Sequence, residues 1–172
     1  VTREYFVTTF IQEENEFDDY ASQVLLPHAH SKSGPTVAVG DVNGDGLEDF
    51  YVGGAKRIAG VLYRQNSDGK FTPGSDTFPS ADKRHEDTAT AFFDVDGDGD
   101  MDLYVVSGGS EFPEGSPEFQ DRLYLNDGDG NFVKSSGLPE LFSSGSCVVP
   151  FDFDADGDLD LFIGGRVVPT RY

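Results

Sequence analysis

Three acidic nonapeptides, "DVNGDGLED" from Asp41, "DVDGDGDMD" from Asp94 and "DFDADGDLD" from Asp152, recur 53 and 58 residues apart in a chain of 172. A tandem period of this kind restricts the fold to one supersecondary unit stacked on copies of itself. Each copy is preceded by a short β-like run ("TVAVG", "ATAFF", "CVVPF") and followed by another that ends in paired glycines ("DFYVGG", "DLYVVSGG", "DLFIGG"). The unit therefore reads as strand, acidic loop, strand. Two further segments, "LYRQNSDGKF" and "LYLNDGDGNF", read as hairpins whose Asn, Asp and Gly residues supply the positive φ angles of a tight turn.

Four short antiparallel strands per unit, with no stretch that sustains an apolar period of about 3.6 residues, predict the blades of a β-propeller. The fold class is thus all-β, with about three blade-equivalents at roughly 55 residues each, where closed propellers use about 4 to 8. The expected organisation is the end of a preceding blade plus a connector over 1–35, blades over 36–88 and 89–146, and the start of a further blade over 147–172. Phe17 stands in the register of Phe71 and Phe132, which extends the strand expectation back to the leading segment. The expected whole is a fragment of a larger propeller, with neighbouring blades or a second copy covering its open edges.

Crowded carboxylates repel, and a bound cation removes the repulsion. Calcium takes about six to eight oxygen ligands, and positions 1, 3, 5 and 9 of each loop supply them around a glycine-permitted turn, with a backbone carbonyl at position 7. The candidate ligands are Asp41, Asn43, Asp45, Asp49 and the Leu47 carbonyl; Asp94, Asp96, Asp98, Asp102 and the Asp100 carbonyl; and Asp152, Asp154, Asp156, Asp160 and the Asp158 carbonyl. An EF-hand would place Glu at position 12, where this chain has Val52, Val105 and Ile163 inside expected strands. Magnesium keeps its waters, and zinc would want His or Cys, which the loops lack. About three Ca²⁺ would move the formal charge of -20 to about -14.

That charge, with 32 acidic residues, argues against nucleic acid or an anionic membrane surface as partner. No apolar run approaches the length of about 20 residues that spans a bilayer. Cys147, alone in the chain and flanked by apolar residues, is expected to be a buried, inert thiol.

The stretch "VGDVNGDGLEDFYVGG" resembles the FG-GAP repeats of integrin α-subunit propellers and the related VCBS repeats of bacterial surface proteins. "FFDVDGDGDMDLYVVSGG" followed by "RLYLNDGDGNF" is similar to the repeats of ASPIC/UnbV-type proteins. The resemblance implies a seven-bladed propeller, one calcium between strands one and two of selected blades, extracellular, cell-surface or periplasmic placement, and binding of a protein or glycan rather than catalysis. The Gly-Ala-Pro end of the family's motif is only partly present, in "VGGAKR".

In a four-stranded meander the acidic loops share one end of the blades, and the 2-3 and blade-to-blade connections share the other. That other end collects seven of the 12 basic residues and all 3 histidines. Lys56, Arg57, Lys83, Arg84, His85 and Arg166 are the candidate partner face there, while His28 and His30 offer too few groups for a metal site. No nucleophile elbow, His-Glu-x-x-His helix or phosphate loop is visible, so the chain reads as a binding module and not an enzyme. The alternative is a propeller domain of a polysaccharide lyase or hydrolase, with its residues on the face opposite the acidic loops.

Overall fold

The computed structural model describes residues 16–32, 34–74, 78–169 and 171. Ten strands in three antiparallel sheets form the framework of these residues. The first sheet has the order β1 (Val37–Gly40), β2 (Asp49–Val52), β3 (Val61–Gln65), β4 (Phe71–Gly74). The second repeats it with β5 (Asp87–Phe93), β6 (Asp102–Ser107), β7 (Arg122–Asn126) and β8 (Phe132–Lys134). The third is the hairpin of β9 (Cys147–Phe151) and β10 (Asp160–Gly164). These are two four-stranded blades and a two-stranded start of a third, and they do not close a ring.

The blades stack through their first strands, β1 against β5 and β5 against β9. Alternation within each strand sends one set of side chains toward the preceding blade and the other toward the next. In β6, Leu103 and Val105 pack with Ala38, Val42, Tyr51 and Leu62 of the first blade. Tyr104 and Val106 turn the other way, into a cluster completed by Val148 and Leu161. Covered on both sides, all six residues of β6 are buried. Phe78, from the connector, stands edge-on to Tyr51 and Tyr124 with ring centroids 5.2 and 4.9 Å away.

Polar ties cross the first interface as well. Asp87, buried at the start of β5, accepts from the Tyr51 hydroxyl (2.8 Å) and the Gly54 amide (2.8 Å) of the first blade, and pairs with Arg122 (2.5 Å). The Tyr51 hydroxyl and the Gly54 amide help the buried carboxylate keep its charge, while the buried Arg122 Nε has no hydrogen-bond partner among the described residues. Asp82, in a short 3-10 helix over Ser80–Arg84, receives the Tyr124 hydroxyl (2.9 Å) and the Lys134 ammonium (2.5 Å). Burial opposes its ionisation, yet those two donors hold its carboxyl below the ordinary aspartate value.

Two sequence expectations need correction. Phe17 lies in irregular chain just before a single helical turn, α1 (Asp19–Ser22), whose cap is the Asp18 carboxylate accepting the Tyr20 amide (3.0 Å); the rest of the expected leading hairpin falls on 1–15, outside the described residues. Cys147 is exposed, because its position on β9 faces away from the second blade, on the side where no further sheet follows among the described residues.

Candidate metal centre

The three acidic loops join β1 to β2, β5 to β6 and β9 to β10, and they fold by the same local rule. The first acid curls the chain by accepting amides from residues three to five positions on. Asp41 takes those of Asp45 (3.2 Å) and Gly46 (2.8 Å); Asp94 takes Gly97 (2.8 Å), Asp98 (3.2 Å) and Gly99 (2.9 Å); Asp152 takes Gly157 (3.1 Å). The fifth acid accepts the amide two residues on, from Leu47 to Asp45, Asp100 to Asp98 and Asp158 to Asp156. Position 4 is left-handed in each copy. Gly44 and Gly97 adopt φ 68° and 78° there without cost, whereas Ala155 is held at φ 61°.

This curl brings carboxylate oxygens of Asp94, Asp96 and Asp102 within 4.8 Å of one another, and does the same for Asp152, Asp154 and Asp156. In the first loop a neutral amide replaces one acid. Asp41 and Asn43 both accept the Asp45 amide (3.2 and 3.3 Å), and Asn43 Nδ2 donates to the Asp45 carboxylate (3.2 Å). Asp98 and Asp160 lie outside the two triads, engaged with the amides of Asp100 and Phe153. The donor sets are all hard oxygen, and they fit a hard divalent cation such as calcium. Bound there, the cation would neutralise the converging charge and tie the ends of two strands together.

Position 9 has a second role that the spacing did not reveal. Asp49 accepts from the amides of Val42 (3.3 Å) and Gln65 (2.7 Å), and Asp102 from those of Val95 (2.9 Å) and Asn126 (2.8 Å). Each carboxylate thus straps its loop to the third strand of its own blade. Both are buried, and burial raises both carboxyls above the ordinary aspartate value. The donated amides oppose this, while the neighbouring loop acids reinforce it.

An FG-GAP-like repeat matches the chain over residues 41–105 and again over 106–163. The chain belongs to the FG-GAP-like repeat family. The first match runs from the Asp41 loop through β2 to the middle of β6, and the second from there to β10, so each repeat holds the end of one blade and the start of the next. The three acidic loops all fall inside the matched segments.

At the opposite end of these FG-GAP-like blades the connectors lock onto one another. The Arg57 amide donates to the Lys83 carbonyl (2.5 Å), which sets exposed Arg57, Lys83 and Arg84 on adjoining connectors. Lys56 is engaged within the fold, 3.2 Å from Glu111 and 4.3 Å above the Phe112 ring. Arg166 is exposed and borders a cavity of about 200 Å³ that His30, Glu86 and Ser144 also line. His85 leaves the candidate partner face altogether. It is 2% exposed, because its Nδ1 lies 2.8 Å from the Glu118 carbonyl and its ring fills the interior beside Asp82.

Sequence reading also missed α1. The buried Asp19 carboxylate accepts from the His30 amide (3.1 Å) and the Ser31 and Ser110 hydroxyls, and Gln23 donates to the Arg171 carbonyl (2.5 Å). The leading segment therefore crosses this end of the blades and joins connectors of the second and third. Contacts 91 and 148 residues apart leave no local signature in the sequence.

Proposed function

We propose that this chain is a calcium-stabilised propeller module of an exported or cell-surface protein, which recognises a protein or glycan partner and performs no catalysis. The carboxylate convergence of Asp94, Asp96 and Asp102 carries the reading, since three acids held that close are unfavourable without a cation. Calcium is structural in this reading: it locks each loop and stabilises the folded blades by mass action. Family membership supports the assignment of the loops. Among the described residues, no helix is long and apolar enough to cross a membrane.

The partner face is the connector end, with Arg57, Lys83, Arg84 and Arg166 exposed there and Lys56 at its edge. Its cations stand out against an overall charge of -20, and they favour an acidic glycan or protein segment. Calorimetric titration of Ca²⁺ into the chelator-stripped chain tests the first half. Uptake of about three ions supports the reading, and no uptake defeats it. Lys83→Ala with Arg84→Ala tests the second, since retained binding to an anionic glycan such as heparin would remove these residues from the face.

A further inference from the structure

A continuous hydrogen-bonded path joins the first two acidic loops across the blade interface. Asp49 Oδ2 accepts from the Val42 amide (3.3 Å), and the Val42 carbonyl accepts from Asn126 Nδ2 (2.8 Å). The Asn126 amide in turn donates to Asp102 Oδ1 (2.8 Å). Asn126 Nδ2 also reaches the Met101 carbonyl (3.2 Å), and Asn126 Oδ1 accepts the Asp127 amide (3.0 Å), so the side-chain amide is fixed at both ends. Asp49, Val42, Asn126 and Asp102 are all buried. Water cannot easily substitute for a lost link in such a setting.

The path therefore runs from position 9 of one loop to position 9 of the next through one side chain. We propose that Asn126 is a positioning residue that couples the two loops, so that a cation in one raises the affinity of the other. A cation in the second loop draws on Asp102 and holds the Asn126 backbone. The same residue's amide then holds the Val42 carbonyl, and with it the Val42 amide on Asp49. Ordering that the second loop's cation has already imposed is ordering that the first loop's cation no longer has to supply. The third loop is separate. The Phe153 carbonyl, the counterpart of Val42's, has no such donor among the described residues, and Phe153 is 76% exposed.

The inference rests on the calcium reading above, and the test separates the two. In the chelator-stripped chain, Ca²⁺ is titrated while the Gly46 amide reports the first loop by NMR. Asp96→Asn with Asp98→Asn, which supply none of the hydrogen bonds of the path, disable the second loop. Disabling it is expected to weaken Ca²⁺ binding at the first loop by about fivefold or more. In an Asn126→Ala background the same change is expected to leave that affinity within about twofold. Asn126→Asp, which keeps the shape but cannot donate to the Val42 carbonyl, gives the same reading where Asn126→Ala does not fold. Faster exchange of the Val42 amide in the metal-free Asn126 variant is the expected independent sign. Coupling that persists in both variants overturns this inference and leaves calcium binding intact. No Ca²⁺ uptake by the unmodified chain overturns both.

Discussion

The first and third acidic loops have nearly the same local fold and opposite surroundings. The second blade covers the first loop: Val42 is 1% exposed, Asp49 0% and Tyr51 of the following strand 2%. In the third, the matching Phe153 is 76% exposed, Phe162 56%, and Asp160 lies at the surface. Both loops share the two bonds that set the curl, the position-1 acid accepting the amide at position 6 and the position-9 acid the amide at position 2. Local sequence therefore suffices to shape the loop, and the next blade supplies its burial. A propeller blade is stabilised from both flanks, and a blade with one flank open keeps its hairpin and little else.

The largest test of that contrast is in the cores. Leu103 is fully buried between blades, and Leu103→Ala should cost about 3 kcal/mol by denaturant titration through lost contacts and the cavity left behind. Leu161, its repeat counterpart, is only partly buried, and Leu161→Ala should cost about 1 kcal/mol or less. Equal losses would mean that the third hairpin is as well covered as the middle blade. The position-9 acids give the next largest effect, measured without metal. Asp102→Ala leaves the Val95 and Asn126 amides without their acceptor inside the protein, at about 2 kcal/mol, whereas Asp160→Ala exposes one amide to water and should cost well under about 1 kcal/mol.

The covered side also carries a pH dependence. Burial, reinforced by the Arg122 charge, lowers the His85 pKa below its ordinary 6.5, against the weaker pull of the Glu118 carbonyl and Asp82. The carbonyl can only accept, so Nδ1 holds the proton of a neutral ring. The unfolded chain then binds a proton that the folded chain resists. This contribution to stability is complete above pH 6.5 and is lost as pH falls below it, levelling off once the lowered folded pKa is passed. One proton limits the slope to about 1.4 kcal/mol per pH unit. His85→Gln should flatten the stability profile between pH 7 and 5; an unaltered slope would move its origin elsewhere.

A smaller effect of opposite sign comes from the loop backbone. Ala155 occupies the left-handed position that glycine fills in the other two loops. Ala155→Gly should stabilise the third hairpin by about 0.5 kcal/mol, the relief of left-handed strain less the added freedom of glycine in the unfolded chain. The local amide exchange of Gly157 and Asp158 would register it where a global melt does not.

What the sequence made legible was whatever recurs within one unit. The three loops in register, the glycine turns and the hairpin order could all be read, because each recurs in the same form from one unit to the next. The relations between units could not. Asn126 looked like an ordinary turn residue in "LYLNDGDGNF", yet its amide crosses to Val42, 84 residues away. His85 looked like one more basic residue on a solvated connector, and only the contact of its ring with the Glu118 carbonyl, beside Asp82 of the 3-10 helix, places it inside. Lys56 was expected to face a partner, and Glu111 in the long connection of the next blade holds it. Cys147 failed in the other direction: its apolar neighbours promised burial that only a further sheet would provide.

The smallest effect is also the sharpest test of the contrast. Phe153 and Val42 occupy the same position of their loops, and both sit where the next blade would press. Val42 has the Asn126 and Asp49 partners and a buried cluster around it. Phe153 touches chiefly the edge of Phe151, at 5.9 Å between ring centroids. Phe153→Ser should therefore change the stability of this chain by no more than about 0.5 kcal/mol, the range of an ordinary surface site. A loss of about 2 kcal/mol or more would mean that the ring is covered in solution. If that loss shrinks on dilution, the cover is a second copy of the chain; if it does not, the chain itself folds over the hairpin. Either way the flank would be covered in solution, and the third loop would take on the burial that now distinguishes the first.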